Sequence, residues 1–229
     1  MANVSFPLSI KAIVIDLDGT LLNTAPDLAE AAKRMAAELS LPPIELETVK
    51  TYIGNGVSRL VKRVLTRDMD AEPDAALFAR AYPVYEKHYS EGVSRESRPF
   101  PGVVEGLKAM KAAGFRLACI TNKAEKFTVP LLKDTGLFDY FELILSGDTL
   151  PKRKPDPLPL QHACKIFGIE AAELLLIGDS LNDTQAARAA GCHVFCVPYG
   201  YNRGRSVEEL DLDAVVPSLF EATKLIQKI

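Results

Sequence analysis

The chain has 229 residues, 48% of them hydrophobic, which is enough for one large domain or for one domain with a smaller companion. Its net charge of -3 leaves no global basic field for nucleic acid, and Lys and Arg are spread along it apart from Lys152-Arg153-Lys154. The four cysteines (Cys119, Cys164, Cys192, Cys196) form no C-x-x-C pair and no zinc spacing, Met1 to Ile10 lacks the pattern of a signal peptide, and no window approaches the roughly 18 uninterrupted apolar residues of a membrane span. Together these predict a cytoplasmic protein with free thiols and neither a nucleic-acid nor a membrane partner.

Lys11 to Ile15 is short, apolar and β-branched, and reads as a buried strand. Thr24-Ala-Pro26-Asp27 reads as a helix start, with Thr24 as cap, and Leu28, Ala31, Ala32, Met35 and Leu39 follow at helical spacing until Leu41-Pro-Pro43. A short helix over Leu46–Lys50 leads to Gly54-Asn55-Gly56. Amphipathic helices follow, one marked by Val57 to Leu65 and one over Glu72–Tyr89. No strong strand lies between Thr24 and Tyr89. After the connector Pro99-Phe-Pro101-Gly102 the pattern alternates. Helices are expected over Val103–Ala113, Lys126–Asp134, Pro157–Phe167 and Thr184–Ala190, closed near Gly114, Gly136, Gly168 and Gly191. Strands are expected at Phe115–Ile120, Glu142–Leu145, Leu174–Ile177, Val194–Val197 and Ala214–Val216, with Ser218 capping a terminal helix. This predicts an α/β protein: a Rossmann-like parallel sheet core from residues 1–22 and 97–229, interrupted by an all-helical insertion over 23–96.

Polar groups recur where the strands end, which is where ligands collect in an open parallel sheet. Asp16 and Asp18 follow the first strand, and Thr121-Asn122-Lys123 the second. Lys154-Pro155 lies in the loop after the third, and Gly178-Asp179-Ser180-Leu-Asn182-Asp183 follows the fourth. Each group has a plain alternative as a turn, cap or solvated charge, but the set converges on one crevice. It suits phosphoryl transfer through an aspartyl-phosphate. Asp16 attacks, and Asp18 serves as acid and then base. Thr121 and nearby N–H groups hold the phosphoryl oxygens. Asp16, Asp18, Asp179 and Asp183 together bring too much negative charge for Lys154 alone. Each like-charge pair about 4 Å apart costs roughly 4 kcal/mol at an effective dielectric near 20. A hard divalent ion on oxygen ligands, magnesium, fits better than zinc, since His and Cys do not cluster.

Asp16-x-Asp18-Gly-Thr20, Thr121-Asn122, Lys154-Pro155 and Gly178-Asp179-Ser180-x-x-Asp183 resemble the four motifs of the haloacid dehalogenase superfamily, in order. The resemblance implies a nucleophile at Asp16, an acid/base at Asp18, phosphoryl binding by Thr121 and the Asn122 backbone, and a steadying role for Lys154. It implies magnesium held by Asp16, the Asp18 carbonyl and Asp179, with Asp183 ordering the surroundings. Asp at position 18 resembles the phosphatase branch, and the helical insertion resembles that superfamily's cap. Thr51-Tyr-Ile-Gly54-Asn55-Gly56-Val57 is similar to the bacterial phosphoglycolate phosphatases, and its turn at a helix start favours a small anion. Arg59, Lys62 and Arg63 read as a solvated helix face, with help in binding that anion as the alternative. Tyr199-Gly-Tyr-Asn-Arg-Gly204 reads as a mobile loop near the site or a surface connector, and the three histidines are assigned no chemistry. Three other readings stay open: a β-phosphoglucomutase-like sugar-phosphate mutase, a phosphatase for pyrophosphate or another small ester, and an aspartate-phosphorylated signalling module. The expected partner is a small phosphorylated metabolite, and the assembly a monomer or homodimer.

Overall fold

The computed structural model describes residues 5–229. Residues 1–4, which belong to the stretch read for a signal peptide and to the expected core span, lie outside the described residues. In chain order the elements are β1 (Leu8–Ile10), β2 (Ala12–Ile15), β3 (Leu22–Asn23), α1 (Ala25–Glu38), α2 (Leu46–Tyr52), α3 (Gly56–Thr66), α4 (Ala75–Ser90), β4 (Arg98–Pro99), α5 (Val103–Ala112) and β5 (Arg116–Ile120). They continue with α6 (Glu125–Asp134), β6 (Leu143–Leu145), α7 (Leu158–Phe167), β7 (Leu174–Gly178), α8 (Leu181–Ala190), β8 (His193–Cys196), β9 (Ala214–Val215), α9 (Leu219–Ala222) and β10 (Ile226–Lys228).

The central sheet has six strands in the order β6-β5-β2-β7-β8-β9, all parallel. Its strands are apolar throughout because both faces are covered. Alternate residues divide between two cores: Ile13, Ile15, Leu117, Cys119, Leu175 and Ile177 face one, and Ala12, Val14, Ala118, Ile120, Leu174 and Leu176 face the other. From β2 the chain is wound outward in both directions, so the crevice beyond the ends of β5, β2 and β7 is the switch point of the sheet.

Helices α1 to α4 fill the span between β3 and β4. Leu28, Val49, Leu60 and Tyr85 join the first of the two cores, so the helical segment packs continuously with one side of the sheet. It leaves and returns at one place. β3 and β4 pair antiparallel, Leu22 opposite Pro99 and Asn23 opposite Arg98. The Asp27 carboxylate, in the first turn of α1, accepts from the backbone N–H of Glu96 (2.9 Å) and Ser97 (2.8 Å) and from the Ser97 hydroxyl (2.7 Å).

Several expected details differ. The helix expected from Glu72 begins at Ala75, because the Asp74 side chain accepts from Leu77 N–H and sets the cap there. The helix expected from Thr184 begins at Leu181, since Ser180 and Asp183 form a capping box. Ser218 does cap the last helix, but that helix is a single turn, and the chain then pairs as β10 in parallel with β1. Neither this pairing nor β3 with β4 was foreseen, because both join short segments far apart in sequence.

Gly106 sits inside α5 facing α9. Alanine is the better helix former by about 1 kcal/mol, yet a Cβ here would lie 2.7 Å from the Leu219 backbone. Gly106→Ala is therefore expected to destabilise the fold, by about 1–3 kcal/mol in urea unfolding, reversing the helix-propensity expectation.

Candidate active site

Asp16 is the first residue after β2, and its N–H donates to Ile177 O of β7 (3.0 Å). The carboxylate is thereby fixed at the switch point. Lys154 arrives from the loop before α7 with its side chain 2% exposed, and its ammonium is fully engaged. It donates to Asp16 Oδ1 (2.8 Å), Asp183 Oδ1 (2.7 Å) and the Ile120 carbonyl (2.7 Å). The other Asp183 oxygen accepts from Ser180 Oγ (2.7 Å) and Ser180 N–H (3.1 Å), so one side chain both caps α8 and holds the lysine. Asp179 accepts from Tyr201 N–H (2.6 Å), and Gly19 and Gly200 press so closely on it that a Cβ on either would collide with its carboxylate.

Asp16, Asp179 and Asp183 each present a ligand oxygen, all within 4.8 Å of one another. Burial pushes the Asp16 carboxyl up to about 7; Lys154 opposes the shift, and the Asp183 charge adds to it. Burial, then Asp183 and Asp16, raises Asp179 well above the carboxylate range. Burial alone would lower the Lys154 ammonium, but Asp16 and Asp183 outweigh it and hold it above its ordinary value. The cluster is short of positive charge. An all-oxygen, buried donor set of this kind fits a hard divalent cation.

Asp18 is held apart from that cluster. Its Oδ1 accepts from the Thr24 hydroxyl (2.6 Å) and pairs with the buried Lys123 ammonium (3.0 Å), which also reaches the Tyr89 hydroxyl (2.8 Å). Thr24 stands at the start of α1 as expected, but its side chain serves Asp18 and does not cap the helix. The free N–H groups of Thr24 and Ala25 instead donate to the Tyr201 hydroxyl (2.8 and 2.9 Å). Thr121 and Asn122 are buried at the end of β5, and Ala124, not Thr121, occupies the N-cap position of α6, with no side-chain cap.

The Gly54-Asn55-Gly56 turn opens α3. Gly54 has φ +119°, a region that other residues rarely adopt. Its carbonyl accepts from Asn122 Nδ2 (2.9 Å) and Asn182 Nδ2 (3.1 Å), bridging the helical segment to two strand-end loops. Gly54 and Gly56 line one cavity of about 50 Å³ together with Asp16, Asp18, Thr121, Asn122, Lys154, Asp179 and Asp183. Asn55 does not line it; its Oδ1 accepts from Arg63 Nη2 (2.9 Å). Arg63 corrects the solvated-face reading. It is 2% exposed, and its guanidinium also donates to the carbonyls of Tyr52 (2.7 Å) and Met69 (3.0 Å), stapling the turn to the end of α2. Arg59 and Lys62 both reach Glu72.

Lys123, Asn182, Tyr201 and Arg203 also line the cavity and were missed as site residues. Lys123 and Asn182 stand inside the motifs already noted, so adjacency was a usable signal. Tyr201 belongs to a loop whose connector reading is corrected here: Tyr201 and Asn202 are buried and bonded into the site. No helix among the described residues is long and apolar enough to cross a membrane.

Carboxylates gathered at the switch point of a doubly wound sheet, with a helical excursion folded over them, define an α/β protein whose site is built from strand-end carboxylates. The chain belongs to the haloacid dehalogenase-like hydrolases, whose family model matches residues 13–197. A phosphoglycolate phosphatase of Thiobacillus denitrificans is 78% identical over 224 residues, covering 98% of this chain and 99% of that one. One from Nitrosospira multiformis is 63% identical, over 97% and 98% of the two chains. A crystal structure described as a predicted phosphoglycolate phosphatase from Haemophilus somnus superposes with a TM-score of 0.89 at 35% identity, covering 94% of this chain and 97% of that one.

Asn182 joins the helical turn to the loop that carries Asp179 and Asp183. Asn182→Ala is expected to raise amide hydrogen exchange across residues 53–60 severalfold while shifting global stability by less than about 1 kcal/mol. Unchanged exchange there would show that this contact does not hold the turn.

Proposed function

We propose that the chain is a magnesium-dependent phosphomonoester hydrolase that converts 2-phosphoglycolate to glycolate and phosphate through an aspartyl-phosphate on Asp16. The observation that carries the mechanism is the contrast between two carboxylates two residues apart. Asp16 sits among Lys154, Asp179 and Asp183, whereas Asp18 sits apart with Lys123 and Thr24. Near-full-length relatives that bear the name phosphoglycolate phosphatase support hydrolysis over the mutase reading, and supply the substrate.

In this reading Asp16 attacks phosphorus, and the bond from phosphorus to the glycolate oxygen breaks. Asp18 passes its proton to that oxygen, then takes one from the water that attacks the aspartyl-phosphate. Lys154 stays charged throughout and holds Asp16 in line. Thr121 and the Asn122 N–H hold the non-bridging oxygens, and Lys123 and Thr24 orient Asp18. Asp16, the Asp18 carbonyl and Asp179 would hold magnesium, with Asp183 fixing Lys154 beside them; when bound, the ion supplies fixed positive charge to the carboxylates and the phosphoryl oxygens. Residues 23–96 act as a cap that meets the cavity through the Gly54 turn. A cytoplasmic location is supported by four buried, free cysteines.

The test is phosphate release from 2-phosphoglycolate, pyrophosphate, a hexose phosphate, a nucleotide and an aryl phosphate, with magnesium and with chelator. Magnesium-dependent preference for phosphoglycolate is expected, and Asp16→Asn should fold normally yet lose turnover by at least about 10³-fold. Full activity in that variant removes Asp16 as nucleophile. Proton competition gives a second expectation. With Asp16 raised to about 7, cation binding must expel a proton below neutrality. Asp179 is raised as well, so magnesium affinity, measured by titration calorimetry, should fall by at least about tenfold for each pH unit below 7.

A further inference from the structure

Three cationic side chains line the cavity: Lys123, Lys154 and Arg203. Lys154 is committed to Asp16 and Asp183, and Lys123 to Asp18. Arg203 has no carboxylate within ion-pair distance among the described residues. Its one hydrogen bond is from Nη2 to the amide oxygen of Asn55, at 3.4 Å.

The loop around it is built to place it. Arg203 has φ +54°, an uncommon conformation for a residue with a side chain, held by its neighbours. Asn202 is buried. It donates to the carbonyls of Arg205 (3.0 Å) and Ser206 (3.3 Å) and accepts from Leu181 N–H (3.3 Å) at the start of α8. On the other side, Tyr201 is bonded to Asp179 and to the first residues of α1. A surface arginine on a free loop would need none of this. Burial, and then the Arg203 and Arg59 charges, lower the neighbouring Arg63 to about 10, and Asp70 opposes the shift.

We infer that Arg203 is the specificity-determining residue for the second anionic group of the substrate, binding a carboxylate on the leaving-group side while the strand-end residues bind the phosphoryl group. This rests on the proposed phosphoglycolate reading and adds the group that tells that substrate from an ester whose leaving group carries no charge. The phosphoryl end has both of its lysines engaged and is rich in carboxylates, so a second negative charge needs a cation elsewhere. A guanidinium offers a fork of donors that matches a carboxylate. Its weak contact with Asn55 also ties the same side chain to the helical turn that covers the cavity.

The test compares wild type, Arg203→Ala and Arg203→Lys on 2-phosphoglycolate and on ethyl phosphate, which carries the same phosphoryl group without the carboxylate. Arg203→Ala should lose about 10- to 100-fold in kcat/KM on phosphoglycolate, mainly through KM, and less than about twofold on ethyl phosphate. Arg203→Lys should recover part of the loss, since it keeps the charge and not the fork. Arg203 is exposed, so both variants should match wild type in thermal unfolding. A wild type with no preference for phosphoglycolate overturns the substrate reading and this inference with it. A wild type that prefers phosphoglycolate, with Arg203→Ala losing both substrates alike or neither, overturns the inference alone.

Discussion

The buried ammonium of Lys154 is the contact on which the rest of the site depends. Carboxylates do not gather without water unless something positive gathers with them. Lys154 reaches two of the three clustered acids and the carbonyl that ends β5, so it joins three strand-end segments in one contact. Even so, the acids outnumber it, and Asp16 and Asp179 are left with raised proton affinities. That residue of unbalanced charge makes the crevice receptive to a further cation.

The second acid works because it is excluded from this cluster. Asp18 is only two residues from Asp16, but the chain turns away at Gly19, and Lys123 and Thr24 take its carboxylate. A strand end followed by a sharp turn thus produces two chemically distinct carboxyl groups from one short stretch. The loop at Tyr201 completes the arrangement from the far side, since its N–H positions Asp179 and its hydroxyl steadies the start of α1.

Much of this was readable in the sequence. The strands were legible because both their faces are buried, so Ile13-Val-Ile and Leu174-Leu-Leu-Ile177 stand out as unbroken apolar runs. The site was legible because parallel connections put every strand's carboxyl end on one side, which turns scattered motifs into neighbours. What escaped were relationships between distant short segments. β1 and β10 are three residues each, with 215 residues between Ile10 and Ile226. The burial of Arg63 escaped because an arginine on an amphipathic helix ordinarily points to water. Only the carbonyls of Tyr52 and Met69 and the Asn55 amide, supplied by tertiary structure, hold it inside. The role of Tyr201 escaped because tyrosine in a glycine-flanked loop has no periodic signature.

The antiparallel pairing of β3 with β4, secured by Asp27 on the Glu96–Ser97 backbone, has an evolutionary consequence. The six-stranded sheet presents its excursion as a socket, with two chain ends lying one strand spacing apart, about 5 Å. A segment whose own ends meet that spacing, and whose apolar face refills the packing of Leu28, Val49, Leu60 and Tyr85, can be grafted there with the register of the sheet strands unchanged. Length and sequence can therefore vary between β3 and β4 while the strand-end carboxylates keep their places.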